Sequence, residues 1–262
     1  MKLSQFNTDY IKNRILEKGP FSQEENLRIY EKSFSNIAHS RPFKLLVEKY
    51  SLHEKAVLDV GCYCGSHLIH FGEGSVGLER QDAGVKFALA IGLNVIQCNV
   101  EDKWEFTEGP FDAAWCSAIL EHVVSPHKLL RECWRKLKYD GLLFARVPII
   151  PNPIVESCMR CLPQWRNRFH SGYTSYSAVE HLYAYTRKSA IFLIKRAGFE
   201  VIDVNTLWPP IPLLNRILKP LIYRFGITDS LTVIAKKDPE FKYPEKRLKA
   251  FTPGWMLELD KR

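Results

Sequence analysis

Two carboxylates and a glycine-bounded turn are the groups in this chain best suited to hold a ligand. Asp59 lies in the apolar run Val57-Leu58-Asp59-Val60, and Gly61, Cys62, Tyr63, Cys64 and Gly65 follow it. Glycine lets a backbone approach a ligand closely, and amides exposed where a helix begins attract electronegative groups. Glu79 closes the next apolar run, Ser75-Val76-Gly77-Leu78, where a carboxylate can accept hydrogen bonds from ribose hydroxyls. The turn and the second carboxylate together point to a nucleoside.

The spacing separates the kinds of nucleoside ligand. The phosphate-cradling pattern G-x-x-x-x-G-K-[ST] is missing, and so is the G-x-G-x-x-G of nicotinamide cofactors. A pyrophosphate would also meet the charge of Asp59 just before the turn. S-adenosylmethionine has no phosphate; it offers a cationic sulfonium, an ammonium and ribose hydroxyls. Acidic groups and backbone acceptors suit those features, so the comparison favours this methyl donor.

Methyl transfer from a sulfonium is a direct displacement, with the acceptor atom in line with the departing sulfur at roughly 3–3.5 Å. Positioning and desolvation can supply much of the catalysis, so no covalent nucleophile is required. An oxygen acceptor still has a proton to lose. His122, His170 and Tyr173 are the acid–base or orienting candidates; His170 opens HSGYTSY in an irregular stretch, while His122 can equally be a structural hydrogen-bonding group. Trp115, Trp165 and Trp208 are candidates for an apolar acceptor wall or for the core, with Trp115 placed in the core by its strand. Cys62-x-Cys64 and Cys158-x-x-Cys161 do not establish a zinc site, because nothing places the pairs together and the first lacks the usual two-residue separation. No metal is assigned.

These residues need a scaffold. Short apolar runs at 56–60, 75–79, 94–97, 111–116, 142–147, 199–204 and 231–235 read as strands. Helical spacing falls between them at 66–71, 82–91, 126–137 and 188–197. That alternation is the signature of an α/β layer with a mostly parallel sheet. In such sheets ligands bind beyond the carboxyl ends of the strands, where Asp59, the 61–65 turn and Glu79 all fall. Residues 1–50 form a helical cap, with apolar helical spacing at 26–34 and 43–50. Residues 51–148 form the cofactor-binding half and 149–185 an irregular insertion or pocket cover. Residues 186–237 complete the domain, and 238–262 form a tail.

At this point the motifs VLDVGCYCG, GLER, IQCNVED, FDAAWCSAILEHV and LKYDGLLFARVP resemble, in order and spacing, those of class I S-adenosylmethionine-dependent methyltransferases, in particular the small-molecule group called methyltransferase type 11. The likeness is strong over 52–148 and weaker in GFEVIDV and LTVIAKK. It implies a Rossmann-like fold, a seven-stranded, mostly parallel sheet whose last strand is antiparallel. It also implies cofactor contacts from Asp59, Gly61, Cys62, Tyr63 and Gly65, with Glu79 on the ribose and Asn99 and Val100 near the adenine. The main chain at Cys116 and Ser117 would lie by the methionine part, and Glu121-His122 resembles the signature that follows the fourth strand. Tyr63 departs from the family's pattern, which commonly has glycine there. Either the residue takes a positive φ, at a cost of about 1–3 kcal/mol, or it takes an ordinary angle and narrows the pocket.

The whole chain constrains partners more loosely. Its 262 residues suffice for a sizeable core, and 46% hydrophobic with 25% charged residues is ordinary globular composition. The net charge of +8 permits anionic partners, yet basic residues are scattered, and no acceptor motif of the N-P-P-[YFW] kind supports nucleic acid. An RNA methyltransferase and a noncatalytic cofactor-responsive binding protein are the rival readings. The expected partner is a small-molecule or lipid-like acceptor, with no protein partner required. The apolar stretch 208–225, interrupted by Arg216, Lys219 and Arg224, permits peripheral membrane contact. Seven cysteines in largely apolar settings and no N-terminal signal segment lead to an expected cytoplasmic location.

Overall fold

The computed structural model describes residues 6–149, 181–205 and 230–242. Helices α1 (Thr8–Lys18), α2 (Gln23–Ile29), α3 (Ser35–His39) and α4 (Arg41–Lys49) precede the sheet, with a π-helical turn at Tyr30–Phe34 joining α2 to α3. Their starts follow from local chemistry. Asn7 caps α1 by accepting from the amides of Asp9 and Tyr10, Ser22 and Glu25 form a capping box on α2, and Ser40 caps α4 ahead of Pro42. The 8–18 helix was not among the segments with clear apolar spacing: it buries just Ile11 and Ile15, too sparse a stripe to stand out.

The sheet is built from β1 (Val57–Val60), β2 (Val76–Glu79), β3 (Val95–Gln97), β4 (Phe111–Ser117), β5 (Leu137–Pro148), β6 (Phe199–Asn205) and β7 (Ser230–Lys237). The strand order is β3-β2-β1-β4-β5-β7-β6. β1 pairs in parallel with β2 and β4, whereas β7 runs antiparallel to both β5 and β6. This is the mostly parallel seven-stranded sheet with an antiparallel last strand that the motifs implied. Two elements differ from the sequence reading. The 66–71 helix is a single 3-10 turn at Leu68–His70, and β5 starts at Leu137 rather than 142, because it pairs with Phe111 across a register shift.

Alternation along the strands divides the core by face. Ala114 and Cys116 of β4 and Leu143, Ala145 and Val147 of β5 meet α6 (Pro126–Lys136) and α7 (Arg187–Arg196). Ala113, Trp115 and Phe144 point the other way, onto α4 and onto Val85 and Ala88 of α5 (Asp82–Ala90). Trp115 sits among Phe43, Phe71 and Phe144, with ring centroids 5.3 to 5.7 Å away. The helices α1 to α3 pack onto α5 through Ile11, Ile15, Phe34, Phe87 and Ile91. Asp112 joins β4 to the start of β1, accepting from the Ala56 amide at 3.0 Å and from Lys138 Nζ at 2.6 Å. Strand order reverses between β1 and β4, and a crevice opens there at the carboxyl ends of the strands.

Candidate active site

A cavity of about 280 Å³ lies in this crevice, near the lower bound of about 300 Å³ for ligand pockets. Its walls come from the ends of successive strands. Gly61 and Tyr63 follow β1, Glu79 ends β2 and Arg80 and Gln81 follow it, Asn99, Val100 and Glu101 follow β3, and Ile119, His122 and Val123 follow β4.

The turn after β1 is held by its own backbone. The amides of Gly61 and Cys62 donate to the Leu78 carbonyl at 2.9 and 3.0 Å, and the Gly65 amide donates to the Cys62 carbonyl at 2.9 Å. Gly61 and Gly65 take φ values of 74° and 86°, and Tyr63, with φ 49°, takes the left-handed angle as well. Both alternatives for Tyr63 are therefore met in part: the angle is the glycine-like one, and the side chain, half exposed, still borders the cavity. The Tyr63 amide donates to Glu79 Oε2 at 2.7 Å. A hydrogen bond to a charged acceptor contributes about 1.5–3 kcal/mol, enough to offset a left-handed strain of about 1–3 kcal/mol.

Glu79 thus has a structural task as well as a cavity-facing one. Its Oε1 accepts from the amides of Arg80 and Gln81 at 2.8 and 2.7 Å. A carboxylate has about four acceptor positions, so three backbone donors leave room on Oε2 for a ligand hydroxyl. Asn99 Oδ1 accepts from the Glu101 amide at 3.2 Å, which fixes the bend that brings Asn99 and Val100 to the wall.

Asp59 is placed differently from Glu79. It lies beneath the turn, 2% exposed, and does not line the cavity. Its Oδ2 has no hydrogen-bond partner, and burial, reinforced by the charge of Glu79, pushes its carboxyl up to about 8. A cationic ligand at the turn would supply the missing positive field. A buried acid with one unpartnered oxygen beneath the turn and a hydroxyl acceptor in the wall fit S-adenosylmethionine, whose binding would fall to Gly61, Tyr63, Glu79, Asn99 and Val100.

The remaining site residues predicted from sequence are distributed around this wall. Cys62 is buried, and its thiol, pushed up by burial, occupies space left by Gly77, where an added Cβ would lie 2.5 Å from Cys62 Sγ. Cys64 faces the cluster of N-terminal helices, and burial raises its thiol to about 12. The two thiols of the Cys-x-Cys pair therefore enter different core clusters. Cys116 is fully buried with its Sγ 3.8 Å from that of Cys133; Ser117, half-buried, ends β4. Neither lines the cavity, whereas His122 does. His170, Tyr173, Trp165, Trp208 and the Cys158/Cys161 pair lie outside the described residues. Sequence reasoning missed Ile119 and Val123 as wall residues, although both sit within the motif FDAAWCSAILEHV. It also missed His181, which is brought to the site by tertiary contacts alone.

The profile of a family described as "Methyltransferase domain" matches residues 34–204. The chain belongs to that family. Methyltransferase relatives include the ubiquinone biosynthesis O-methyltransferase of Pseudomonas paraeruginosa, 28% identical over 125 residues, which cover 44% of this chain and 54% of that protein. The chain thus spans about half the length of the curated relatives it matches. Among solved structures, a S-adenosylmethionine-dependent methyltransferase of Thermotoga maritima, described as a possible histamine N-methyltransferase, shares the fold with a TM-score of 0.55 at 18% identity, over 82% of this chain and 97% of its own. The Burkholderia thailandensis 1,6-didemethyltoxoflavin-N1-methyltransferase, solved with its substrate and S-adenosylhomocysteine, gives a TM-score of 0.51 at 15% identity over 87% of each chain. At these identities the structural likeness speaks to the fold.

Proposed function

We propose that this chain is an S-adenosylmethionine-dependent methyltransferase that passes the methyl group directly to a small-molecule or lipid-like acceptor. The observation that carries the reading is the pairing of Glu79, at the end of β2, with the 61–65 turn after β1 in the wall of the cavity, in a chain of the methyltransferase family. When bound, the donor supplies a methyl carbon already activated by positive sulfur.

The chain's own residues have three tasks. Glu79 accepts a ribose hydroxyl while holding the turn, Asn99 and Val100 border the base, and buried Asp59 compensates positive charge near the turn. Val100, Ile119 and Val123 give the cavity an apolar wall that excludes water. His122 lines the cavity on its β4 side, and this is the side proposed for the acceptor, with His170 and Tyr173 proposed to act with it. The apolar wall supports a small organic acceptor over RNA, which is read by charged and stacking surfaces.

A cytoplasmic setting is proposed as well, supported by the free cysteines at 62, 64, 98, 116 and 133. Among the described residues no helix is long and apolar enough to cross a membrane. Peripheral contact through 208–225 is tested by flotation with anionic vesicles, where absence of binding at every ionic strength rejects it. The central test is calorimetric titration with S-adenosylmethionine, followed by product analysis with candidate acceptors. Absence of saturable binding refutes the reading. Binding without transfer to any accepted ligand would favour the noncatalytic alternative.

A further inference from the structure

At the β4 side of the cavity, three metal-ligating side chains converge from two distant parts of the chain. The ligand atoms of Glu121, His122 and His181 all lie within 4.8 Å of one another. The imidazole rings of His122 and His181 meet edge to face, with centroids 4.7 Å apart. Glu121 is 1% exposed, and its Oε2 is buried with no hydrogen-bond partner. A buried carboxylate oxygen without a donor is costly, and among the described residues no hydrogen-bond donor reaches Glu121 Oε2.

The juxtaposition is built by the backbone. The amides of Leu182 and Tyr183 donate to the Glu121 carbonyl at 2.7 and 3.2 Å. Tyr183 Oη donates to the Val124 carbonyl at 2.6 Å, and Tyr185 Oη donates to the Leu120 carbonyl at 3.0 Å. These four bonds register segment 181–185 against segment 120–124, so His181 arrives beside Glu121 and His122 in a set position. Arg146 of β5 also acts on the Glu121 carboxylate, and its charge opposes a cation.

We propose that Glu121, His122 and His181 form a binding site for a divalent transition-metal ion. One carboxylate with two imidazoles is a ligand set of zinc, iron, cobalt and manganese sites. The imidazoles and the opposing Arg146 charge select against Mg²⁺, which wants oxygen ligands. Metal–ligand bonds of about 2.0–2.2 Å require the ligand atoms to draw in to roughly 3–3.5 Å apart, so binding would move the half-buried His122 and His181 side chains toward Glu121 from their present spacing. Three protein ligands leave positions open for water or another ligand. Because His122 also lines the cavity, the open positions face the acceptor side on the methyltransferase reading, and this role alone rests on that reading. A hydroxyl acceptor bound there loses its proton more readily, so His122 would act through the ion and not as a free base.

The test uses the full chain stripped with a chelator and titrated with Co²⁺ alone, without donor or acceptor. Ligand-field absorption and calorimetry report saturable binding at one ion per chain. Glu121→Gln and His181→Ala each weaken it at least about tenfold, since even residues one step removed from a metal alter affinity about 10–100-fold. His39→Ala, an exposed histidine on α3, leaves it unchanged. If Glu121→Gln fails to fold by circular dichroism, His181→Ala decides. Absence of saturable binding to the wild type, or equal affinity in wild type and His181→Ala, overturns the site while leaving donor binding a separate question.

Discussion

Asp59→Asn removes an ionisable group from beneath the ligand turn while keeping its shape and an oxygen that can accept a hydrogen bond. In the folded chain the Asp59 carboxyl is raised by burial and by Glu79 from its ordinary 3.8 to about 8. The sign follows directly. Between those values the folded state keeps a proton that the unfolded chain has released, so stability falls as pH rises through the window. Below about 4 both states are protonated, and above about 8 both are ionised, so the dependence flattens at either end. At about 1.4 kcal/mol per pH unit, moving from pH 6 to pH 7.5 should cost the wild type about 2 kcal/mol from this group. Urea unfolding of wild type and Asp59→Asn at the two pH values measures the difference. The asparagine variant should lack that component and be the more stable protein at pH 7.5. Parallel curves for the two proteins would refute the assignment of a protonated, buried Asp59.

Donor binding should release protons near pH 7, because a cationic ligand favours the Asp59 carboxylate. Calorimetry in two buffers of different ionisation enthalpy measures the release, and Asp59→Asn should abolish it. Glu79→Gln should destabilise the fold by about 1–3 kcal/mol and remove donor binding, because the amide nitrogen cannot accept from the backbone donors that Glu79 holds; wild-type stability by urea unfolding would sink this. Tyr63→Gly should be more stable than Tyr63→Ala by about 1 kcal/mol, since alanine keeps the left-handed cost that glycine avoids; equal urea midpoints would show that the angle is not strained. Trp115→Ala should cost about 3–5 kcal/mol. Trp115→Phe should cost far less, because the buried indole N–H has no partner to lose, and thermal unfolding separates the two.

Local pattern carried much of the fold into view. The β1 to β4 runs are short, strongly apolar and bounded by turn residues, and they emerged with their ends displaced by a residue or so. Caps such as Ser125 before Pro126 and Thr186 with Ser189 mark helix starts through interactions spanning a few residues. The 3-10 turn at Leu68–His70 was harder to anticipate, because a short apolar stretch does not distinguish helix types.

What the amino-acid order determined by itself was the alternation of strands and helices and the succession of Asp59, Gly61, Gly65, Glu79 and Asn99 at strand ends, since each depends on near neighbours. The division of labour between the two acids was decided by tertiary structure. Glu79 meets the Tyr63 amide across sixteen positions, whereas Asp59 sinks below the turn, out of reach of solvent. The approach of His181 to Glu121 and His122 was likewise invisible along the chain, because hydrogen bonds between segments about sixty residues apart create it. Burial and long-range pairing depend on the whole packed sheet, and these are the quantities that set a side chain's charge and its partners.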